Sequence, residues 1–280
     1  MEIHLYQVMQ NNILSISNQS LVFNHETGVR YGSAATGRAS PAPSTAIERS
    51  IVIEPSVLYF GTPVVLAGTT NEDGSSNLAP ISCVWWLGWS CVLGLDVSSK
   101  TTRNLDRARE GVLNLPSAHL VGAVDRLACL TGSNQIPDHK MKMGYRYEPN
   151  KFEVAGLTPV ASDLVKAPRA RECPVQLEAV VENIRPFGEN DSDRPFPAVA
   201  VEMRVVRVHV HESLVVTGKP NRVDPAKWRP LITSFRQYFG LGSTLHPSKF
   251  GEIPEETFVP NRFQPEPESV DSVEEDILAA

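Results

Sequence analysis

From Pro63 to Thr70 the chain runs as a continuous apolar stretch (PVVLAGTT). Such a run, bounded by turn residues, marks a strand buried on both faces rather than the alternating strand of a half-exposed sheet. Asn71-Glu72-Asp73-Gly74 then supplies turn chemistry, and the chain returns through Asn77-Leu78-Ala79-Pro80-Ile81-Ser82. That segment sets an amide and a hydroxyl on a neighbouring strand edge, around a proline that cannot continue the ladder. Ile81 to Val97 is again apolar, but Gly88, Gly94 and Asp96 make it read as two buried strands rather than a membrane span. At Ser98-Ser99-Lys100-Thr101 a strand gives way to a helix. Hydroxyls, an ammonium and free helix-start amides gather there, which suits an anion, most often a phosphate.

Pro63-Val64-Val65-Leu66, Asp73-Gly74, Asn77-x-Ala79-Pro80-x-Ser82, Lys100-Thr101-x-x-Asn104 and Val112-Leu113-Asn114-Leu115 follow one another in a distinctive order and spacing. In them the chain resembles the flavin reductase-like proteins, which are FMN-binding split β-barrels. The likeness continues through Glu172-Cys173-Pro174-Val175-Gln176-Leu177-Glu178 to Val208-His209-Val210 and Tyr238, and covers roughly Ser50 to Leu245. It implies a mainly β fold with flanking helices, a six-stranded FMN-binding split β-barrel over residues 47–250. Such proteins are usually homodimers with the flavin near the subunit interface. The resemblance also implies FMN as cofactor, its phosphate held by Ser98, Ser99, Lys100 and Thr101. Asn77, Leu78, Ala79, Pro80 and Ser82 would then line the isoalloxazine and ribityl chain. NADH or NADPH enters as hydride donor, with a small-molecule substrate or free flavin as the other reactant and a monooxygenase as a possible partner. Hydride transfer to flavin demands no protein acid or base, so no catalytic residue is named. Three classes remain open: an NAD(P)H:flavin oxidoreductase, an FMN enzyme with its own organic substrate, and a flavin-binding module without turnover.

Formal net charge is −6, but Glu252 to Ala280 carries nine acidic residues against Arg262, so the preceding body is close to neutral. That leaves no electrostatic footprint for nucleic acid. Residues 251–280 read as an acidic, disordered tail, and residues 1–46 as an extension ending in the flexible linker Ala34–Ala46. Cys83, Cys91, Cys129 and Cys173 form no C-x-x-C pair, which argues for buried free thiols in a reducing compartment. Met1-Glu2-Ile3-His4 has no signal-peptide pattern, so the expectation is a cytoplasmic protein with no membrane segment.

Trp85, Trp86 and Trp89 cluster around Gly88 and read either as packing or as a wall for an aromatic ligand. In an extended segment Trp85 and Trp89 would share one face and Trp86 the other, with one of those faces on the ligand pocket. Thr101 to Gly111 reads as a helix, Val112 to Leu115 as a strand, and Ser117 as the cap of a helix burying Val124 and Leu127. Residues 131–170, with Asp138-His139-Lys140 and Tyr145-Arg146-Tyr147, form a proline-containing excursion that is either a binding loop or a surface crossing. In the family this region closes over the substrate side of the flavin. Between Val205 and Val206 the apolar parity of a strand flips, which a β-bulge would reconcile. Beyond it His209 and His211 lack an evident third ligand, so no metal site is expected. A helical stretch is expected through Trp228 and Leu231. No G-x-G-x-x-G, G-K-[ST] or G-x-S-x-G motif is present, against a Rossmann site, a phosphate loop or a nucleophile elbow.

Overall fold

The computed structural model describes residues 49–191 and 197–258. The extension expected over residues 1–46 and the tail after Phe258 lie outside the described residues. The chain divides into two units, Met1–Glu54 and Pro55–Ala280. Of the first, residues 49–54 are exposed and without regular structure. All elements below belong to the second.

In chain order the first elements are β1 (Phe60–Pro63), β2 (Val65–Thr70), β3 (Ser76–Ile81), β4 (Val84–Leu87), β5 (Ser90–Asp96), α1 (Lys100–Ala108) and β6 (Glu110–Leu115). Short pieces follow: α2 (Val121–Arg126), β7 (Leu130–Thr131), α3 (Asp138–Lys142), β8 (Arg146–Tyr147), α4 (Lys151–Ala155), β9 (Pro159–Val160) and β10 (Arg169–Ala170). The long strands β11 (Val175–Phe187) and β12 (Ala198–Val210) come next, then β13 (Val215–Val216), β14 (Lys219–Val223), β15 (Leu231–Ser234) and β16 (Gln237–Gly240).

Seven strands make one antiparallel sheet in the order β3-β2-β6-β11-β12-β5-β4. Its two edge strands, β3 and β4, are consecutive in sequence and joined by Ser82 and Cys83 alone. Three Cα steps reach about 11 Å at most, so the sheet must curl until its edges meet. The amide of Gly94 in β5 donates to the Cys83 carbonyl at 2.8 Å, on the seam. Counted as one strand bent at Ser82-Cys83, β3 and β4 reduce the seven to the six that the sequence leads one to expect.

Val65, Cys91, Leu93, Leu113, Leu177, Ala179, Val201 and Met203 fill the barrel, together with Leu105 from α1. Next to Val65 in β2, Leu66 points outward into a second cluster with Leu78, Val124, Leu127, Phe152 and Ala155 under α2 and α4. This double burial is why Pro63 to Thr70 has no polar face. The expected bulge in β12 is present: Glu178 pairs with Arg207 and Ala179 with Val205, leaving Val206 unpaired. Val205 then stays in the barrel while Val206 packs outside on Val112, Val165 and Ala167.

Several boundaries differ from expectation. Helix α1 stops at Ala108 because Arg109 takes φ 58°, and Gly111 already belongs to β6. Ser117 opens a 3-10 turn, its hydroxyl on His119 Nδ1 at 2.7 Å rather than on the helix. Leu231 lies in a hairpin strand, not a helix, and Phe235 and Arg236 turn that hairpin with φ 44° and 67°. Hairpin β15–β16 forms a second, three-stranded sheet with β1. Among the described residues no helix is long and apolar enough to cross a membrane.

The tryptophan expectation fails for a local reason. Leu87 pairs with Ser90, so Gly88 (φ 57°) and Trp89 form a two-residue hairpin turn and the strand ends before Trp89. Trp86 and Trp89 pack against the barrel core, Trp85 is 56% exposed, and none of the three lines the ligand-sized cleft. Strand β4 is accordingly half-exposed, not buried.

Candidate functional site

The site begins where β5 ends. Asp96 Oδ1 accepts the Ser98 amide and hydroxyl, both at 2.7 Å, and the Asp96 carbonyl accepts the Ser99 amide at 3.0 Å. This local turn redirects the chain, and Ser99 caps α1 by accepting the Thr102 amide at 3.0 Å. Ser98 is thereby committed to Asp96. Among the described residues the amides of Lys100 and Thr101 make no hydrogen bond, so the helix opens with two free donors. Lys100 Nζ pairs with Glu72 from the β2–β3 turn. That contact holds the Glu72 carboxyl below its usual range.

Helix α1 opens onto a cleft of about 490 Å³, within the range of small-molecule sites. Of the residues singled out in the sequence, Ala79, Pro80 and Ser82 line it from one strand edge, and Ser99, Lys100 and Thr101 from the helix start. Three do not line it. Leu78 is core beneath α2 and α4. Asn77 sits behind the wall, donating to Thr69 Oγ1 at 3.1 Å and Thr101 Oγ1 at 3.3 Å, while its Oδ1 has no partner. Ser98 is the third.

The excursion over residues 131–170 supplies the opposite side with Gly132, Lys140, Tyr145 and Lys151. Sequence reading located Asp138-His139-Lys140 and Tyr145 in this stretch but not the face they present. Lys151 carries no motif that singles it out in the sequence. Its signal is the i,i+4 spacing to Ala155, which puts it on the buried side of α4 with Phe152. Gly132 is present because backbone must pass close: a Cβ there would lie 2.5 Å from Asn77 Oδ1.

Asp96 joins both walls, its Oδ2 lying 2.9 Å from His139 Nε2 and 3.1 Å from Lys140 Nζ. Burial would raise its pKa, but the bonds from His139 and Ser98 and the charge of Lys140 outweigh it and hold the carboxyl below the usual range. Burial, then the charge of Lys140, pushes the Lys151 ammonium down to about 8 against the weaker pull of Glu148. Cys83 and Cys129 also line the cleft, so only Cys91 and Cys173 meet the buried-thiol expectation, and burial pushes both up to about 12. Tyr59 donates to or accepts from Cys83 Sγ at 3.1 Å, a contact that with burial pushes its phenol up to about 12.

Away from the cleft, folding brings Asp163 to Glu178 and His209, their ligand-type atoms within 4.8 Å of one another, a third residue that sequence spacing did not reveal. Glu178 is wholly buried, and its oxygens accept the amides of Asp163 (2.9 Å) and Leu164 (2.6 Å) and meet His209 Nε2 at 2.6 Å. Asp163 is itself on Arg207 at 2.8 Å. The cluster ties the end of the excursion to β11 and β12.

A family profile described as the flavin reductase like domain matches residues 57–242. The chain belongs to the flavin reductase-like family. It is 40% identical over 190 residues to the uncharacterized protein YdfE of Bacillus subtilis (strain 168), spanning 68% of this chain and 88% of that one. The fold is a mainly β split barrel, as solved structures also indicate. Flavoredoxin of Desulfovibrio vulgaris (Miyazaki F) superposes with a TM-score of 0.57 at 22% identity, over 72% of this chain and 98% of that one. Nitrilotriacetate monooxygenase component B from Bacillus cereus gives 0.54 at 22% identity, over 69% and 89%.

Proposed function

We propose that this flavin reductase-like chain binds FMN in the cleft and uses NADH or NADPH to reduce it, as a cytoplasmic oxidoreductase. The observation that carries the reading is the meeting, in one cleft, of the Ala79-Pro80-Ser82 strand edge and the open start of α1. The residues fit a phosphate-bearing flavin on two counts. The Lys100 and Thr101 amides are free donors at the cleft, and Gly132 lines it with backbone alone, where a Cβ would crowd Asn77 Oδ1 and Lys100 Cγ. When bound, the flavin supplies the hydride chemistry. Ser99 and Thr101 would position the phosphate, Ala79 and Pro80 would present an apolar wall to the ring, and Asp96 would fix the loop that aims the helix. Reduced flavin could leave for a partner monooxygenase, as the similarity to nitrilotriacetate monooxygenase component B suggests.

The absorbance spectrum of the purified protein, followed by anaerobic addition of NADH and then NADPH, tests this reading. Bleaching of a bound-flavin band by either nucleotide is expected; a protein that neither carries nor takes up flavin would refute it. FMN should also bind at least tenfold more tightly than riboflavin, since charge-assisted phosphate contacts contribute about 1.5–3 kcal/mol. Lys100→Ala should narrow that gap, and equal affinities in the unmutated protein would remove the phosphate site.

A second reading, an FMN enzyme acting on its own organic substrate, is favoured by Lys140, Tyr145 and Lys151 lining the cleft from the excursion. Steady-state nucleotide oxidation with free flavin as acceptor separates the two. We also infer a homodimer, because Trp85 and Leu87 on β4, and Phe60 and Phe239 on the smaller sheet, leave large apolar side chains in water. Sedimentation should give twice the 30.7 kDa chain mass; a monomer at micromolar concentration would refute it.

A further inference from the structure

Lys151 is only 3% exposed, yet it lines the cleft, and among the described residues its Nζ makes no hydrogen bond or salt bridge. Lys140 lines the same cleft at 7% exposure, with its Nζ 5.9 Å from the centre of the Tyr145 ring. Among the described residues the one carboxylate that lines the cleft, Asp96, is already shared among Ser98, His139 and Lys140. Two ammonium groups thus stand withdrawn from solvent with one partner between them. A buried charge is costly unless an opposite charge joins it, and here the open side is the cleft. The free helix donors of α1 are a separate feature, and Lys100 turns its ammonium to Glu72.

We propose that Lys151 and Lys140, with the Tyr145 ring beside Lys140, form an oxyanion subsite for the molecule that reacts with the flavin. Its ligand is a carboxylate or phosphate group, from an acidic organic substrate or from the dinucleotide. This rests on the flavin occupying the cleft as proposed above.

The groups around Lys151 set its pH response. Lys140 of α3 repels it and Glu148 just before α4 attracts it, while Asp96 pairs with both Lys140 and His139. Arg126 of α2 donates instead to the Val154 and Ala155 carbonyls, and β3 carries no charged side chain. Burial also raises the Tyr145 phenol, which therefore stays neutral. With Lys151 titrating at about 8, anion affinity should be full below that pH and fall above it.

The test titrates the FMN-loaded full chain with sodium benzoate and, separately, inorganic pyrophosphate, read by flavin absorbance changes. One or both should bind, and Lys151→Met should weaken that binding about ten- to a hundredfold. FMN and riboflavin affinities should hardly change. Losing an unpaired buried charge should also leave the melting temperature equal or higher, whereas a structural lysine would lower it. A benzoate-only response assigns an organic acid, and a pyrophosphate-only response assigns the dinucleotide. Binding of both probes unchanged in Lys151→Met overturns the subsite, and so does loss of the FMN preference over riboflavin, which would give Lys151 to the flavin phosphate. Lysine side-chain NMR of the unmutated, flavin-free chain supplies an independent readout. Either probe should raise the Lys151 pKa, and no shift with either overturns the subsite. Failure of the chain to take up flavin counts against the proposed function instead.

Discussion

Replacing Glu178 by leucine should destabilise the protein by about 3–5 kcal/mol, the usual consequence of removing one member of a buried, hydrogen-bonded charge network. The side chain has no solvent exposure, and its oxygens receive the Asp163 and Leu164 amides and meet His209, with Arg169 Nε 4.0 Å away. Leucine would fill much of the space but leave two amides and a histidine facing hydrocarbon. The acid limb of the stability curve gives a second readout. Burial alone would raise the Glu178 pKa, yet the bonds from Asp163, His209 and Leu164 outweigh it and hold the carboxyl below its usual range. The unfolded chain, with an ordinary pKa near about 4.3, then takes up a proton first as pH falls. The Glu178 contribution is therefore complete above that value and is lost as pH drops through the folded pKa. Denaturant midpoints measured at neutral pH and through the acid range should show a large offset at neutrality that shrinks in acid. An offset below about 1 kcal/mol at neutral pH would mean that this network is dispensable.

The strand paired with the one carrying Glu178, β12, shows how much of the architecture was legible. A parity flip is a one-dimensional signal, and β12 has one because each half must keep apolar residues inward; the bulge at Val206 follows from the letters alone. The unbroken run over β2 was likewise readable, since both its faces are buried. The turn at Gly88 and Trp89 was not. Glycine can continue a strand or reverse it, and the pairing of Leu87 with Ser90 that decides between them is a contact between chain segments. Half of the site was readable for a related reason. The helix start at Ser99 to Thr101 is local chemistry, whereas the wall carrying Lys140, Tyr145 and Lys151 is placed by packing of an excursion with little periodicity of its own. Lysine in sequence reads as solvated, so two lysines under a tenth exposed lie where local reasoning has least purchase.

Substituting alanine for Gly132 should lower both stability and flavin affinity, because the position is limited by space and not by backbone conformation. Gly132 is absent from the positive-φ glycines, so the backbone itself would accept alanine. The added Cβ, however, would stand 2.5 Å from Asn77 Oδ1 and 3.2 Å from Lys100 Cγ. Asn77 is 1% exposed and anchored through Nδ2 to Thr69 and Thr101, so it can retreat only by loosening the hydrogen bonds that hold Thr101 at the start of α1. Overpacking of this kind costs about 1–3 kcal/mol, a clear drop in melting temperature for the flavin-free chain. On the reading proposed above, the strain falls on the residues that would receive the flavin phosphate. FMN affinity should therefore fall by more than riboflavin affinity, by tenfold or more if the Lys100 and Thr101 amides are displaced. Fluorescence titrations with both flavins, beside a thermal melt, separate the two effects. A lower melting temperature with FMN and riboflavin weakened equally would leave Gly132 a packing residue only. An unchanged melting temperature and FMN affinity would show that the chain relaxes around the added methyl group, and that the close approach of Gly132 to Asn77 does not shape the phosphate site.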